Sequence, residues 1–153
     1  MDGASTLPPA TVNGVLFYTE INNPSNPNDD KNLRCSASTV NSPAKNLAFT
    51  AGSCVHEGKF GDWHTNVVFA PGYREGSQPY GTWVAKELWT KSAWTASSDQ
   101  GENVGAVVFF PNASGLHLAN VVGANGIAFN YPADQDTYTF GYPSNYAKGE
   151  RWV

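Results

Sequence analysis

The amino-acid sequence predicts an all-β chain that closes into one antiparallel barrel, with almost no helix. Three observations lead there. Fifteen Gly and ten Pro punctuate 153 residues, and runs rich in Glu, Lys and Ala are few, so turns are frequent and helix-forming stretches scarce. Apolar or alternating runs of strand length recur between those turns. A hydrophobic content of 41% and an aromatic content of 13% are enough to fill one buried core, so a single domain is expected.

Residues 1–11 are small, polar and proline-containing and read as a tail. Residues 11–19 alternate well enough for a first strand. The stretch from Asn22 to Asn32 is almost wholly Asn, Asp and Pro, which reads as a solvated hairpin connection with no chemistry of its own. Residues 33–40 and 47–50 form the second and third strands around a turn at residues 41–45. A fourth strand, residues 65–70, stops at Pro71-Gly72. The fifth, residues 83–89, sets Trp83, Ala85, Glu87 and Trp89 on one face and Val84, Lys86 and Leu88 on the other. Residues 104–110 are nearly all apolar, as a sixth, centrally buried strand requires. Beyond Pro111 the pattern weakens: residues 116–122 read as a connection and residues 136–143 as one further strand. The expected division is thus a tail at 1–11, a barrel at 12–111, and a connection with one further strand at 112–153. Asn112-Ala113-Ser114 is an acceptor sequence for N-glycosylation.

Charge narrows the partners. A net charge of -4 and scattered Lys and Arg leave no basic patch for a phosphate backbone, so nucleic acid is not expected. No apolar run is long enough to cross a bilayer, and the N-terminus lacks a charged-then-apolar leader, so no membrane partner is expected either. Cys35 and Cys54 have no zinc spacing; by themselves they fit one bridge or two buried thiols equally well. His56, His64 and His117, even with Glu57 and Asp62, match no standard metal site, and neither metal nor cofactor is expected. The five tryptophans fit core or barrel cover better than a ligand groove.

The most informative stretch is Asn46-Leu47-Ala48-Phe49-Thr50-Ala51-Gly52-Ser53-Cys54-Val55, a strand that ends in a small-residue turn and delivers one side chain, Ser53, to a fixed place. It resembles the trypsin-like, chymotrypsin-fold serine endopeptidases, whose pattern here is Thr-Ala-Ala/Gly-His-Cys. Arg34-Cys35-Ser36-Ala37 resembles their strand opening the histidine-loop disulfide. Trp63-His64-Thr65-Asn66, Pro71-Gly72-Tyr73, Pro79-Tyr80-Gly81-Thr82-Trp83 and Asn103-Val104-Gly105-Ala106 are similar to secreted microbial members. Phe140-Gly141-Tyr142-Pro143 is similar to the segment that begins their second barrel.

The resemblance implies a six-stranded Greek-key barrel, an extracellular setting, and a bridge between Cys35 and Cys54 on adjacent strands, worth about 3 kcal/mol for a loop of about 20 residues. It also implies which residues should carry chemistry. A serine endopeptidase needs a hydroxyl nucleophile, an imidazole base and a carboxylate that holds the imidazole in its working tautomer. The histidine position is Ser53 and the aspartate position is Asn103; no Gly-x-Ser-Gly-Gly occurs up to Val153. An aliphatic hydroxyl is no base near neutral pH, so the resemblance implies a barrel without catalysis. Its expected partner is a protein, a second copy or a C-terminal barrel. The competing enzymatic readings are Ser53 as nucleophile with His56 as base, and a half-protease whose nucleophile lies on another chain; the remaining alternative is a purely structural barrel.

Overall fold

The computed structural model describes residues 10–22, 25–132, 134–151 and 153. Six strands run in chain order: β1 Asn13–Glu20, β2 Lys31–Val40, β3 Leu47–Thr50, β4 Thr65–Pro71, β5 Trp83–Thr90 and β6 Gly105–Phe109. They close in the order β1-β2-β3-β6-β5-β4, every neighbour antiparallel. Because β3 pairs with β6 rather than β4, the chain between residues 50 and 105 must cross over, and the end of β3 comes to lie beside the start of β6. Thr50 stands opposite Gly105 in that register.

Alternation within each strand sends one set of side chains inward. Leu16, Phe69, Trp83, Val107, Phe109 and Leu118 are fully buried, and the Phe69 and Phe109 rings stack at 5.7 Å. Burial of side chains this large stabilises by about 1.5–3 kcal/mol each. Two glycines let backbones meet where the barrel needs it. A Cβ on Gly14 would strike Ala70 O and Pro71 Cα, where β1 meets β4; one on Gly105 would lie 2.5 Å from Ala51 O, where β6 meets the turn after β3.

Several expectations are corrected. The buried stretch begins before the first strand: Ala10, Thr11 and Val12 are packed, and the Thr11 hydroxyl donates to Val122 O at 3.0 Å, while residues 1–9 of the expected tail lie outside the described residues. In β5 the two-residue alternation does not survive. A register shift between Ala85 and Glu87 turns the strand over, so Trp83 and Leu88 face the core while Trp89 faces out. β6 is buried on one face only, and Val104 and Phe110 at its ends are exposed. Two short helices appear, α1 Ser92–Ser97 and α2 Leu118–Val122; the latter replaces the expected connection because Leu118 and Val122 sit one turn apart and complete the core.

Residues 136–143 form no strand. Gly141 and Val153 exchange backbone hydrogen bonds, and the Tyr142 N–H donates to Ser36 Oγ at 2.7 Å, but no strand edge among the described residues pairs with residues 134–139. Instead this end of the chain folds back on the barrel. Tyr142 joins Ala10, Val15, Ala70 and Tyr73 in a second apolar cluster, with Phe17 and Phe140 packed against it. Glu150 clamps the arrangement, accepting from the Tyr73 hydroxyl at 2.7 Å and from Arg34 at 2.6 Å. Arg151 pairs with Glu75 beside it.

Candidate functional site

The small residues after β3 make a single 3-10 turn, Gly52–Cys54. Only a glycine fits at its start: a Cβ on Gly52 would come within 2.7 Å of Thr90 Oγ1 and 3.1 Å of both Trp94 Cδ1 and Asn103 Oδ1. Asn103 reaches this place because a 3-10 turn at Gln100–Glu102, capped by the Asp99 carboxylate on Gly101 N–H, precedes β6. The two positions singled out by resemblance are therefore neighbours. The Ser53 N–H donates to Asn103 Oδ1 at 2.8 Å, and Asn103 Nδ2 donates to Gln100 Oε1 at 3.3 Å. The amide orients the turn by its oxygen, as a carboxylate would, without placing a charge there.

Cys35 and Cys54 are bonded, with Cα atoms 6.1 Å apart and a sequence separation of 19. Cys54 belongs to the turn rather than to a strand adjacent to β2, so the bridge ties the Ser53 turn itself to the barrel wall. Next to it lies Tyr18, whose phenol is pushed up by burial and then by Glu20.

Both nearby imidazoles are buried and committed to the backbone. His56 Nδ1 accepts from the Gly58 N–H at 3.0 Å, its carbonyl accepts from Trp94 Nε1 at 2.9 Å, and its ring meets Trp63 edge-on at 4.9 Å. His64 stacks on Tyr18 at 4.4 Å and donates from Nε2 to the Ser53 carbonyl at 3.1 Å, which fixes its tautomer with the proton on Nε2. Neither ring is hydrogen-bonded to the Ser53 hydroxyl. His117 stands at the N-terminus of α2, whose Ala119 N–H donates to Lys45 O in the turn between β2 and β3, and no group of three His, Cys, Asp or Glu able to hold a metal ion occurs among the described residues.

The tryptophans divide. Trp83 is core, Trp94 braces the turn through His56, and Trp63 and Trp89 stay partly exposed around a shallow depression with Glu87, Leu88 and Thr90; Trp152 lies outside the described residues. Sequence reasoning missed Thr90, whose hydroxyl donates to Val104 O at 2.8 Å and so seats Asn103, and missed His64 as the partner of Ser53. Asn112 closes the turn after β6, its Oδ1 accepting from Ser114 N–H and Leu116 N–H. A cavity of about 260 Å³ opens beside the turn, between Ser36, Phe49 and Thr50 of the barrel and Phe140–Tyr142 of the returning chain.

With this geometry in hand, comparison with known proteins is decisive for kinship. The crystal structure of protease Anisep from Arthrobacter nicotinovorans superposes with a TM-score of 0.82 at 32% identity, over 94% of this chain and 62% of that one. The thermostable serine protease AL20 from an extremophilic microorganism gives a TM-score of 0.79 at 30% identity, over 94% of this chain and 63% of that one. This is the barrel of the trypsin-like serine proteases. A Glu endopeptidase shares the fold alone, with a TM-score of 0.61 at 15% identity. An extracellular metalloprotease of Bacillus subtilis (strain 168) is 28% identical over 126 residues, which are 82% of this chain and 38% of that protein. No family model matches. The trypsin-like chain described here thus spans less than two thirds of the length of these relatives.

Proposed function

We propose that this trypsin-like barrel is a non-catalytic pseudo-protease domain that acts by binding a protein, the first such protein being a C-terminal barrel that completes the fold. The observation that supports it is the Ser53–Asn103 hydrogen bond: the family's base and orienting-acid positions lie side by side, occupied by a hydroxyl and an amide. Proton transfer needs a group that can accept a proton near neutral pH, and neither residue can. Both neighbouring histidines spend a ring nitrogen on the backbone. Residues 112–153 then serve as the connection between barrels. A disulfide and one extracellular relative support a secreted protein.

A second reading is favoured by the unmatched remainder of the relatives, over a third of Anisep and of AL20. It makes this chain one half of an endopeptidase with its nucleophile elsewhere. One experiment separates the two. A second barrel carrying Gly-x-Ser-Gly-Gly is added to the wild-type chain and to Ser53→His/Asn103→Asp. The proposal expects the second barrel to bind both, peptide hydrolysis from neither chain alone, and turnover only from the doubly substituted pair, since base and oxyanion donors then meet. Hydrolysis by the wild-type pair would establish the half-endopeptidase; stoichiometric labelling of Ser53 by a phosphonylating reagent would overturn both readings.

A further inference from the structure

Three large apolar side chains stand out almost free of the molecule: Phe60 is 95% exposed, Tyr138 85% and Phe129 78%. Their backbones differ. Phe60 sits in a tight turn closed by the Gly61 N–H on Gly58 O, whereas Phe129 and Tyr138 belong to the chain that leaves α2 and returns to the barrel. Residues 126–132 and 134–139 are exposed throughout, and none of them lies in a helix or a strand. Among the described residues no backbone-to-backbone hydrogen bond joins either stretch to the barrel. The flanks, by contrast, are tied down. The Asn125 N–H donates to Thr39 O, and Asn125 O accepts from the Asn41 N–H. Tyr142 is buried, its N–H on Ser36 Oγ and its hydroxyl on Tyr73 O.

An endopeptidase takes its substrate as an extended strand and needs several residues on each side of the scissile bond free of other pairing. Residues in a ladder or a closed turn must first open, at the free-energy cost of local unfolding; residues 126–132 and 134–139 need no such opening. Within them Phe129 and Tyr138 each offer a large apolar side chain to a specificity pocket, while the bond after Tyr131 leads into Pro132, whose ring fixes the backbone and removes its N–H. We propose that the peptide bonds after Phe129 and Tyr138 form a proteolytic processing site, cut by an endopeptidase whose primary pocket takes aromatic side chains, and that the nicked domain stays assembled. Each cut adds one water across the bond, leaving a carboxylate on Phe129 or Tyr138 and an amine on Asn130 or Thr139. The C-terminal piece is kept in place by the cluster around Tyr142 and by the bonds of Glu150 to Tyr73 and Arg34. Residues 140–153 then cover the cavity beside the Ser53 turn without a covalent tie to the barrel. The site uses neither Ser53 nor Asn103, so it stands whether or not the barrel takes part in catalysis.

The test digests the whole chain with a trace of chymotrypsin in native buffer, weighs the first products by mass spectrometry and passes them over a native sizing column. The first cuts should follow Phe129 or Tyr138, and the two pieces should elute together and separate only in denaturant. Phe129→Ser/Tyr138→Ser should slow the first cut about tenfold, because the next sites become available only on local opening, while Phe60→Ser leaves the rate unchanged. Circular dichroism checks that both variants are folded. A first cut after Phe60, resistance of the wild-type chain, or an unchanged rate in the folded double variant overturns the processing site. Pieces that part in native buffer overturn the assembled nick.

Discussion

The Ser53 turn and the returning C-terminal segment, residues 140–153, are both loops laid against the barrel, but they are held by different means. The turn is fixed by a covalent bridge, by two side-chain hydrogen bonds to the Ser53 backbone, and by a glycine that leaves no room for change. The returning segment is held by rings and ionisable groups: Tyr142 against Tyr73, and Glu150 between Tyr73 and Arg34. The first device is indifferent to salt and acid, and the second is sensitive to both. A turn held this rigidly is consistent with a scaffold that presents surfaces, whereas the clamp at Glu150 is a contact that another domain could displace.

The largest expected effect breaks the first device. Cys35→Ser with Cys54→Ser should lower unfolding stability by about 3 kcal/mol in urea titrations, because the unfolded chain regains the freedom of the loop that the bridge closed. A loss below about 1 kcal/mol would show that hydrogen bonds alone hold the turn. Next, Asn103→Leu strands the Ser53 N–H and should cost about 1–3 kcal/mol, whereas Asn103→Asp keeps an acceptor and should cost less. Equal losses would mean that the amide's bond to Gln100, not its bond to Ser53, matters.

The smallest effect sharpens the contrast by pH. The Tyr73 hydroxyl, then Arg34, hold the Glu150 carboxyl below its ordinary value of 4.5. A lowered folded value means that the clamp's contribution is complete above the unfolded value and is lost as pH falls through the folded one. At the alkaline end, burial raises Tyr73, with Glu150 adding to it, and burial raises Tyr142 further. Their contribution is complete below about pH 10 and fades as pH rises through the folded values. Hydrogen exchange of the Gly141 and Val153 amides should therefore quicken, relative to intrinsic rates, at both extremes, while that of the Ser53 amide should not follow. Glu150→Gln should remove the acid limb; an unchanged acid limb in that variant would assign it to another carboxyl.

Much of this was legible in the residues. Alternation and turn chemistry are short-range, so β3 was read with both ends right and the other strands within two residues, apart from the turn residues added to the first. The Ser53 position and its Asn103 neighbour were legible only through resemblance, because fifty residues separate them and nothing local announces their contact. What defeated local reading were long-range effects. The shift in β5 depends on how Phe109 and Val108 meet it across the ladder, and α2 forms because Leu118 and Val122 find an open end of the core.

By itself the sequence determined the class of fold and the strand content, since both are written in residue type and near-neighbour order. Tertiary structure alone decided that Trp89 faces outward and that residues 136–143 lie as an unpaired segment rather than a strand. The reason is physical: a side chain's period is set by its own backbone, but its partner is set by whichever distant surface the closed barrel brings against it.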